Sequence, residues 1–209
     1  MYRHFGKRLF DLVLTVPACI VLSPVLLFVA LLVRLKLGAP VLFRQQRPGL
    51  HGKPFTIYKF RTMTDARDAE GRLLPDADRL TRLGRFLRST SLDELPEFLN
   101  VLKDEMSLVG PRPLLMRYSP YFTDDERSRF TVKPGITGLA QVSGRNDLNW
   151  DQRIATDIRY VRELSLRLDL QITFLTVWHV LGRRGLQVDP GATRLDFDEE
   201  RRRRLEKLS

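Results

Sequence analysis

The sequence predicts an α+β fold, helix-dominated with a few short strands, in which an N-terminal re-entrant membrane helix leads into one further domain that carries interfacial amphipathic helices. Three observations predict it. A charge-free apolar run occupies the N-terminus; two later segments place apolar residues at helical spacing; and the β-prone runs near residues 40 to 63 are short and broken by Pro and Gly. With 209 residues, 43% of them apolar, the chain is long enough for one domain with a real core and short for two. The expected division is residues 1–36 for the membrane helix and 37–209 for the domain.

Between Asp11 and Arg34 no residue is charged, and the 22 positions from Leu12 to Val33 are nearly all apolar. As a helix that run is about 33 Å long, roughly the hydrocarbon thickness of a bilayer. Lys7 and Arg8 precede it and Arg34 and Lys36 follow it, so no small-residue cleavage site closes a signal peptide. Basic residues at both ends place both ends on the cytoplasmic side, because an excess of Lys and Arg marks that side. Pro24, after Ser23, removes a helix hydrogen bond and favours a kink. The segment is therefore expected to enter the membrane, bend at Ser23-Pro24 and leave by the same face, with a plain kinked span as the alternative.

Residues 40 to 63 read as a hairpin-like pair of strands, with Val41 to Phe43 and Phe55 to Phe60 as β-prone runs and Pro48-Gly49 and Gly52 between. Residues 64 to 78 read as an exposed loop. A helix is expected from Asp78 to Arg88, with Leu80, Leu83 and Leu87 on one side and Arg79, Arg82 and Arg85 forming a solvated or headgroup-facing ridge. The next helix begins within Ser91 to Glu94, because Pro96 suits a first turn, and runs to about Lys103. Thr123 with Glu126 resembles a capping box, and residues 133 to 147 read as a Gly-rich loop.

Trp150, Ile154, Ile158, Val161, Leu164 and Leu168 recur at spacings of 4, 4, 3, 3 and 4, an amphipathic helix with Arg153, Arg159 and Arg162 off its apolar face. Leu170 to Leu181 is too short to span a bilayer and fits an interfacial helix or a buried one. The tail from Asp196 reads as a solvated helix or frayed end.

The net charge of +10 implies an anionic partner: phosphate ligands, lipid headgroups or nucleic acid. The lone Cys19 rules out an intramolecular disulfide and a thiolate metal cluster. No recognised nucleic-acid module appears, so no nucleic-acid partner is expected. Asp93 and Glu94 at a helix start have an ordinary explanation, a capping box from Ser91 to Glu94 with Asp93 at the positive end of the dipole. Their neighbours point to chemistry. Arg88 lies upstream and Arg112 downstream between Pro111 and Pro113, both able to bind phosphate bidentately, and Lys59 and Arg61 add charge from the preceding strand. Carboxylates beside phosphate-binding cations suit Mg²⁺-assisted phosphoryl transfer, and a carboxylate can itself be the nucleophile.

Four strings, QQRPGLHGKPFTIYKFRTM, LGRFLRSTSLDELPEFLNVLKDEMSLVGPRP, VKPGITGLAQVSGR and DIRYVRELSLRLDLQI, cover nearly the whole chain in order. They resemble the bacterial sugar transferase family, the monotopic phosphoglycosyl transferases that initiate surface glycan assembly, in its minimal catalytic form. The resemblance implies transfer of a sugar phosphate from a UDP-sugar to a polyprenyl phosphate with release of UMP, at the cytoplasmic face of the inner membrane. It implies Mg²⁺, an enzyme-bound phosphosugar and a re-entrant helix broken at Ser23-Pro24. By motif, Asp93 is the expected nucleophile and a Mg²⁺ contact. Glu94 serves the metal or the acceptor's deprotonation, Arg88 and Arg112 bind phosphates, and Lys59, Arg61 and Arg145 are candidates for the diphosphate or nucleotide. One departure stands out: the family commonly has Gly where this chain has Asp104, a position that suits a helix C-cap. Another membrane-bound glycosyltransferase and a non-enzymatic basic membrane adaptor are the competing classes.

Overall fold

In the computed structural model of the chain, which describes residues 2–144, 148–182 and 195–207, a π-helical turn, Tyr2–Gly6, runs into α1 (Lys7–Leu37). α1 is long and apolar enough to cross a bilayer. It stays α-helical through Ser23 and Pro24 for a local reason. Pro24 has no N–H for the Ile20 carbonyl, and the Ser23 hydroxyl donates to that carbonyl instead, at 2.8 Å. Both ends of α1 pack on the rest of the chain while the middle does not: Asp11, Thr15, Val29 and Val33 are buried, whereas Ile20, Val21, Leu27 and Phe28 are exposed.

The expected hairpin is present as β1 (Leu42–Pro48) paired antiparallel with β2 (Pro54–Phe60). Residues 64 to 78 are largely exposed, yet an Arg67–Leu73 bridge and the Asp68 carboxylate, which accepts from the Arg72 amide, give the loop a definite shape. The single helix expected from Asp78 to Arg88 is instead two: α2 (Asp76–Arg79) and α3 (Arg82–Ser89), separated by an extended Leu80 and Thr81. Thr81 caps α3 by accepting from the Gly84 amide, a start signal masked in sequence by the arginine periodicity. The ridge loses a member: Arg79 turns back to Asp76, while Arg82 and Arg85 stay exposed.

A 3-10 helix, Leu92–Glu97, leads into α4 (Phe98–Leu102). Asp104 then adopts φ 67°, the left-handed conformation for which glycine is favoured, and its carboxylate ties Arg8 of α1 at 3.0 Å to Lys133 at 2.5 Å. Arg8 also donates to the Val101 and Leu102 carbonyls at the end of α4.

Part of the segment read as a Gly-rich loop is in fact regular structure. β4 (Gly135–Thr137) pairs in parallel with β3 (Ser107–Val109), and α5 (Leu139–Ser143) follows. Glycines are needed there because the two backbones nearly touch: a Cβ on Gly135 would lie 2.1 Å from the Gly110 nitrogen. Two 3-10 helices, Met116–Tyr121 and Glu126–Thr131, connect these strands, and the second opens with the expected reciprocal bonds between Thr123 and Glu126.

The long helix read through Leu168 ends early. α6 (Trp150–Glu163) buries Trp150, Ile154, Ile158 and Val161 as expected, and then Ser165 caps a separate α7 (Leu166–Leu181). On α7, Asp169 and Ile172 are buried while Leu170, Phe174, Val177 and Trp178 are exposed, an apolar outer face on a helix anchored by its inner one. α8 (Phe197–Glu206) is docked, not frayed: Phe197 is fully buried among Tyr118, Phe122 and Trp150. Elsewhere Val29 and Val33 of α1 pack on Phe60 and Leu87, and Phe10 packs with Val109, Tyr160 and Ile172, so α1 shares its core with β2 and α3 at one end and with β3, α6 and α7 at the other.

Candidate active site

Ser91 turns the chain out of α3 at φ 57°, in the left-handed region, and makes no side-chain cap. A non-glycine residue held there costs on the order of 1 kcal/mol. The capping box expected between Ser91 and Glu94 is therefore not formed: the Glu94 amide takes the Ser91 carbonyl, and the Glu94 carboxylate is released for other partners.

Two cations take it, one from β2 and one from the segment after β3, and two more arginines stand around the cluster. Lys59, near the end of β2, brings its ammonium to 2.5 Å from Glu94 Oε1 and 3.1 Å from Glu97 Oε1. Arg112, after β3, donates to Glu94 Oε1 at 2.5 Å, and its carbonyl is held by Arg129 at 2.9 Å. Arg88, at the end of α3, donates to the Thr62 hydroxyl at 3.2 Å and adds its charge to the field at Asp93. Arg47 of β1 donates to the Pro113 carbonyl, and burial, followed by the nearby charge of Arg112, pushes its pKa down to about 10.

The paired carboxylates end up unlike one another. Asp93 is 8% exposed and enters no ion pair and no side-chain hydrogen bond among the described residues. Burial, then the charge of Glu94, raises its pKa above the ordinary carboxylate value, with Lys59, Arg112 and Arg88 opposing. Glu94 goes the other way. Burial works against its charge, but Arg112 and Lys59 outweigh it and hold the carboxyl well below its usual range. A third carboxyl, Glu97, is 1% exposed and is pushed up to about 7 by burial and by Glu94, which Lys59 offsets only in part. The cluster thus separates an unpartnered carboxyl, a locked anion and a carboxyl pushed up toward neutrality.

Of the residues singled out from sequence, the fold assembles Asp93, Glu94, Lys59, Arg88 and Arg112. It does not bring Arg61 to them. That guanidinium bonds the carbonyls of Met63, Leu37 and Ala39 and pairs with Asp65, because the strand ends beside the exit of α1 and the cation caps that junction. Arg145 lies outside the described residues. Glu97 and Arg47 escaped the sequence reading. A carboxylate inside the apolar string LPEFLNVL was the available signal for Glu97; Arg47 had none.

Among the described residues no three His, Cys, Asp or Glu side chains sit together in a metal-holding group. Mg²⁺ does not require one, since it is commonly held by one or two carboxylates together with substrate phosphates. Asp93, with its unengaged oxygens, fits that use; Glu94 fits it only when phosphate draws Lys59 and Arg112 away.

The bacterial sugar transferase family matches residues 2–183. EpsL of Bacillus subtilis, named an uncharacterized sugar transferase, is 56% identical over 87% of this chain and 90% of its own length. A Caulobacter vibrioides protein named UDP-glucose:undecaprenyl-phosphate glucose-1-phosphate transferase is 43% identical over 82% of this chain and 68% of its own. The Salmonella typhimurium undecaprenyl-phosphate galactose phosphotransferase is 41% identical over 87% of this chain, which spans only 42% of that larger protein. The family's match over residues 2–183 and the 56% identity to a relative covered over 90% of its length show that the chain belongs to the bacterial sugar transferase family.

Proposed function

We propose that this chain is a phosphoglycosyl transferase that moves a sugar 1-phosphate from a UDP-sugar to undecaprenyl phosphate, with Asp93 as nucleophile, as the first membrane step of surface glycan synthesis. The observation that carries the reading is the state of Asp93: a carboxylate with no partner of its own, inside a ring of cations that can hold a diphosphate. The relatives' names supply the reaction class.

In the first half-reaction an Asp93 oxygen attacks the phosphorus bearing the sugar. The bond from that phosphorus to the bridging oxygen breaks, and UMP leaves with the electron pair. In the second, a phosphate oxygen of the polyprenyl phosphate attacks the same phosphorus, the acyl phosphate bond breaks, and Asp93 returns as a carboxylate. Lys59, Arg88 and Arg112 neutralise and orient the phosphates throughout. Glu94 occupies Lys59 and Arg112 until phosphate oxygens compete for them, and is then free to meet the metal or take a proton. Mg²⁺, when bound by Asp93 and Glu94, supplies further charge for the diphosphate.

UMP release measured with UDP-sugars in native-like lipid tests the reading. It is expected to require undecaprenyl phosphate for turnover, to vanish with excess chelator and to vanish in Asp93→Asn. Full activity in chelator overturns the metal; normal turnover of the Asn variant overturns the nucleophile.

α1 is read as re-entrant on the cytoplasmic face. Support comes from its two ends, since Arg8, Asp11 and Thr15 at one and Val29 and Val33 at the other are seated on the same domain while the apolar middle is bare. Cysteines placed at positions 4 and 36 should label from one side of sealed vesicles. Labelling from opposite sides contradicts re-entry.

A further inference from the structure

We infer that α8, which lies beyond residues 2–183, is a strap that positions the phosphate-binding arginine loop, and that Phe197 is its positioning residue. The inference rests on the reading of Arg112 as a phosphate ligand.

Helix propensity does not explain why α8 is ordered. It has ten residues, FDEERRRRLE, of which only Phe197 and Leu205 are apolar, and Leu205 is exposed. An isolated helix of that length is marginal in water, so its order comes from docking. Phe197 stacks on Phe122 with ring centroids 4.9 Å apart, and meets Trp150 and Tyr118 at 5.5 and 5.6 Å. Charges fasten both sides of that plug. Arg201 pairs with Glu126 at 2.5 Å and with Asp151 at 3.0 Å, while Arg117 pairs with Asp196 and, at 3.5 Å, with Asp198. The indole of Trp150 donates to the Leu195 carbonyl at 3.0 Å.

The elements so fastened are α6 and the two 3-10 helices that follow Arg112-Pro113, and a short path leads from the latter to the site. Phe122, on which Phe197 stacks, lies 5.4 Å from the guanidinium of Arg129 and 5.4 Å from the ring of Phe130. Arg129 is buried, pairs with buried Asp157 at 2.7 Å and donates from the same nitrogen to the Arg112 carbonyl at 2.9 Å. Glu94 holds the Arg112 side chain, Arg129 holds its backbone, and Phe197 completes the ring stack on which Arg129 rests. Removing the Phe197 ring leaves a hole in a close-packed aromatic cluster, and close-packed interiors pass such a change to their neighbours.

The test uses the full chain in lipid nanodiscs, with donor KM and kcat read separately beside thermal melting. Phe197→Ala is expected to raise KM for the UDP-sugar about tenfold with kcat changed less than twofold, the signature of lost substrate binding. Phe197→Tyr should restore KM, and Leu205→Ala on the same helix should leave it unchanged. If Phe197→Ala does not fold, Phe197→Leu, which keeps apolar volume and loses the stack, carries the test with the same expected direction. A fall in kcat at unchanged KM, tracking lost folded protein, overturns the strap. Arg112→Lys separates the two claims. Unchanged donor KM in that variant refutes the phosphate role of Arg112 itself, whereas a raised KM there with an unchanged KM in the Phe197 variants refutes the strap alone. In the double variant the Phe197 effect should disappear, because both act through one contact.

Discussion

At the scale of single residues, the site is organised by how three carboxyls within five positions are solvated and paired. Glu94 keeps its charge because Lys59 and Arg112 reach it, whereas Glu97, with Lys59 only at 3.1 Å and 1% exposed, is pushed up to about 7. A carboxyl whose folded pKa exceeds its unfolded value binds more protons when folded, so its contribution to stability is present at low pH and is lost as pH rises from about 4.5 toward 7. Glu97→Gln keeps the shape and removes the titration. Melting temperatures compared between pH 5 and pH 8 are therefore expected to fall less for the variant than for the parent, with the variant the more stable at pH 8; parallel curves contradict the assignment. With Asp93 as the proposed nucleophile, its raised pKa predicts an acid limb of donor turnover above the ordinary carboxylate range, because a carboxyl nucleophile must be charged.

At the scale of elements, the site depends on close backbone contacts. A Cβ on Gly84 would stand 2.0 Å from the Thr62 carbonyl oxygen, the oxygen that also receives the Thr81 amide, and the Thr62 hydroxyl in turn holds Arg88. Gly84→Ala must separate α3 from the end of β2, so a loss of about 2 kcal/mol in stability or more is expected, together with weaker donor binding through a displaced Arg88. An unchanged melting temperature and donor KM contradict that packing role. These contacts also mark what sequence patterns reveal. The hairpin, the Thr123 and Glu126 capping box and the apolar face of α6 were legible, because turn residues, caps and helical spacing are local signals. The break at Thr81, the split at Ser165 and the β3 and β4 pairing were not, since each is decided by a partner distant in sequence or by one capping hydroxyl inside an otherwise periodic run.

At the scale of the whole molecule, α1 is fastened to the rest of the fold through its first turns. α1 is tied to α7 by Lys7 and Asp169 at 2.7 Å and to the strand after α4 by Asp11, which accepts from the Ser107 hydroxyl and the Leu108 amide. The exposed apolar faces of α1 and α7 are too extensive for a surface in water and suit a lipid one. The sequence could name Asp93 and Glu94 but not tell them apart from a helix cap. The unformed cap at Ser91 and the unequal partnering of the two side chains do that. Intact-protein mass spectrometry after exposure to UDP-sugar alone, without polyprenyl phosphate, tests the central claim most directly. The parent protein should gain the mass of one sugar phosphate and the Asp93→Asn variant should not; an adduct that persists in the variant contradicts Asp93 as the nucleophile.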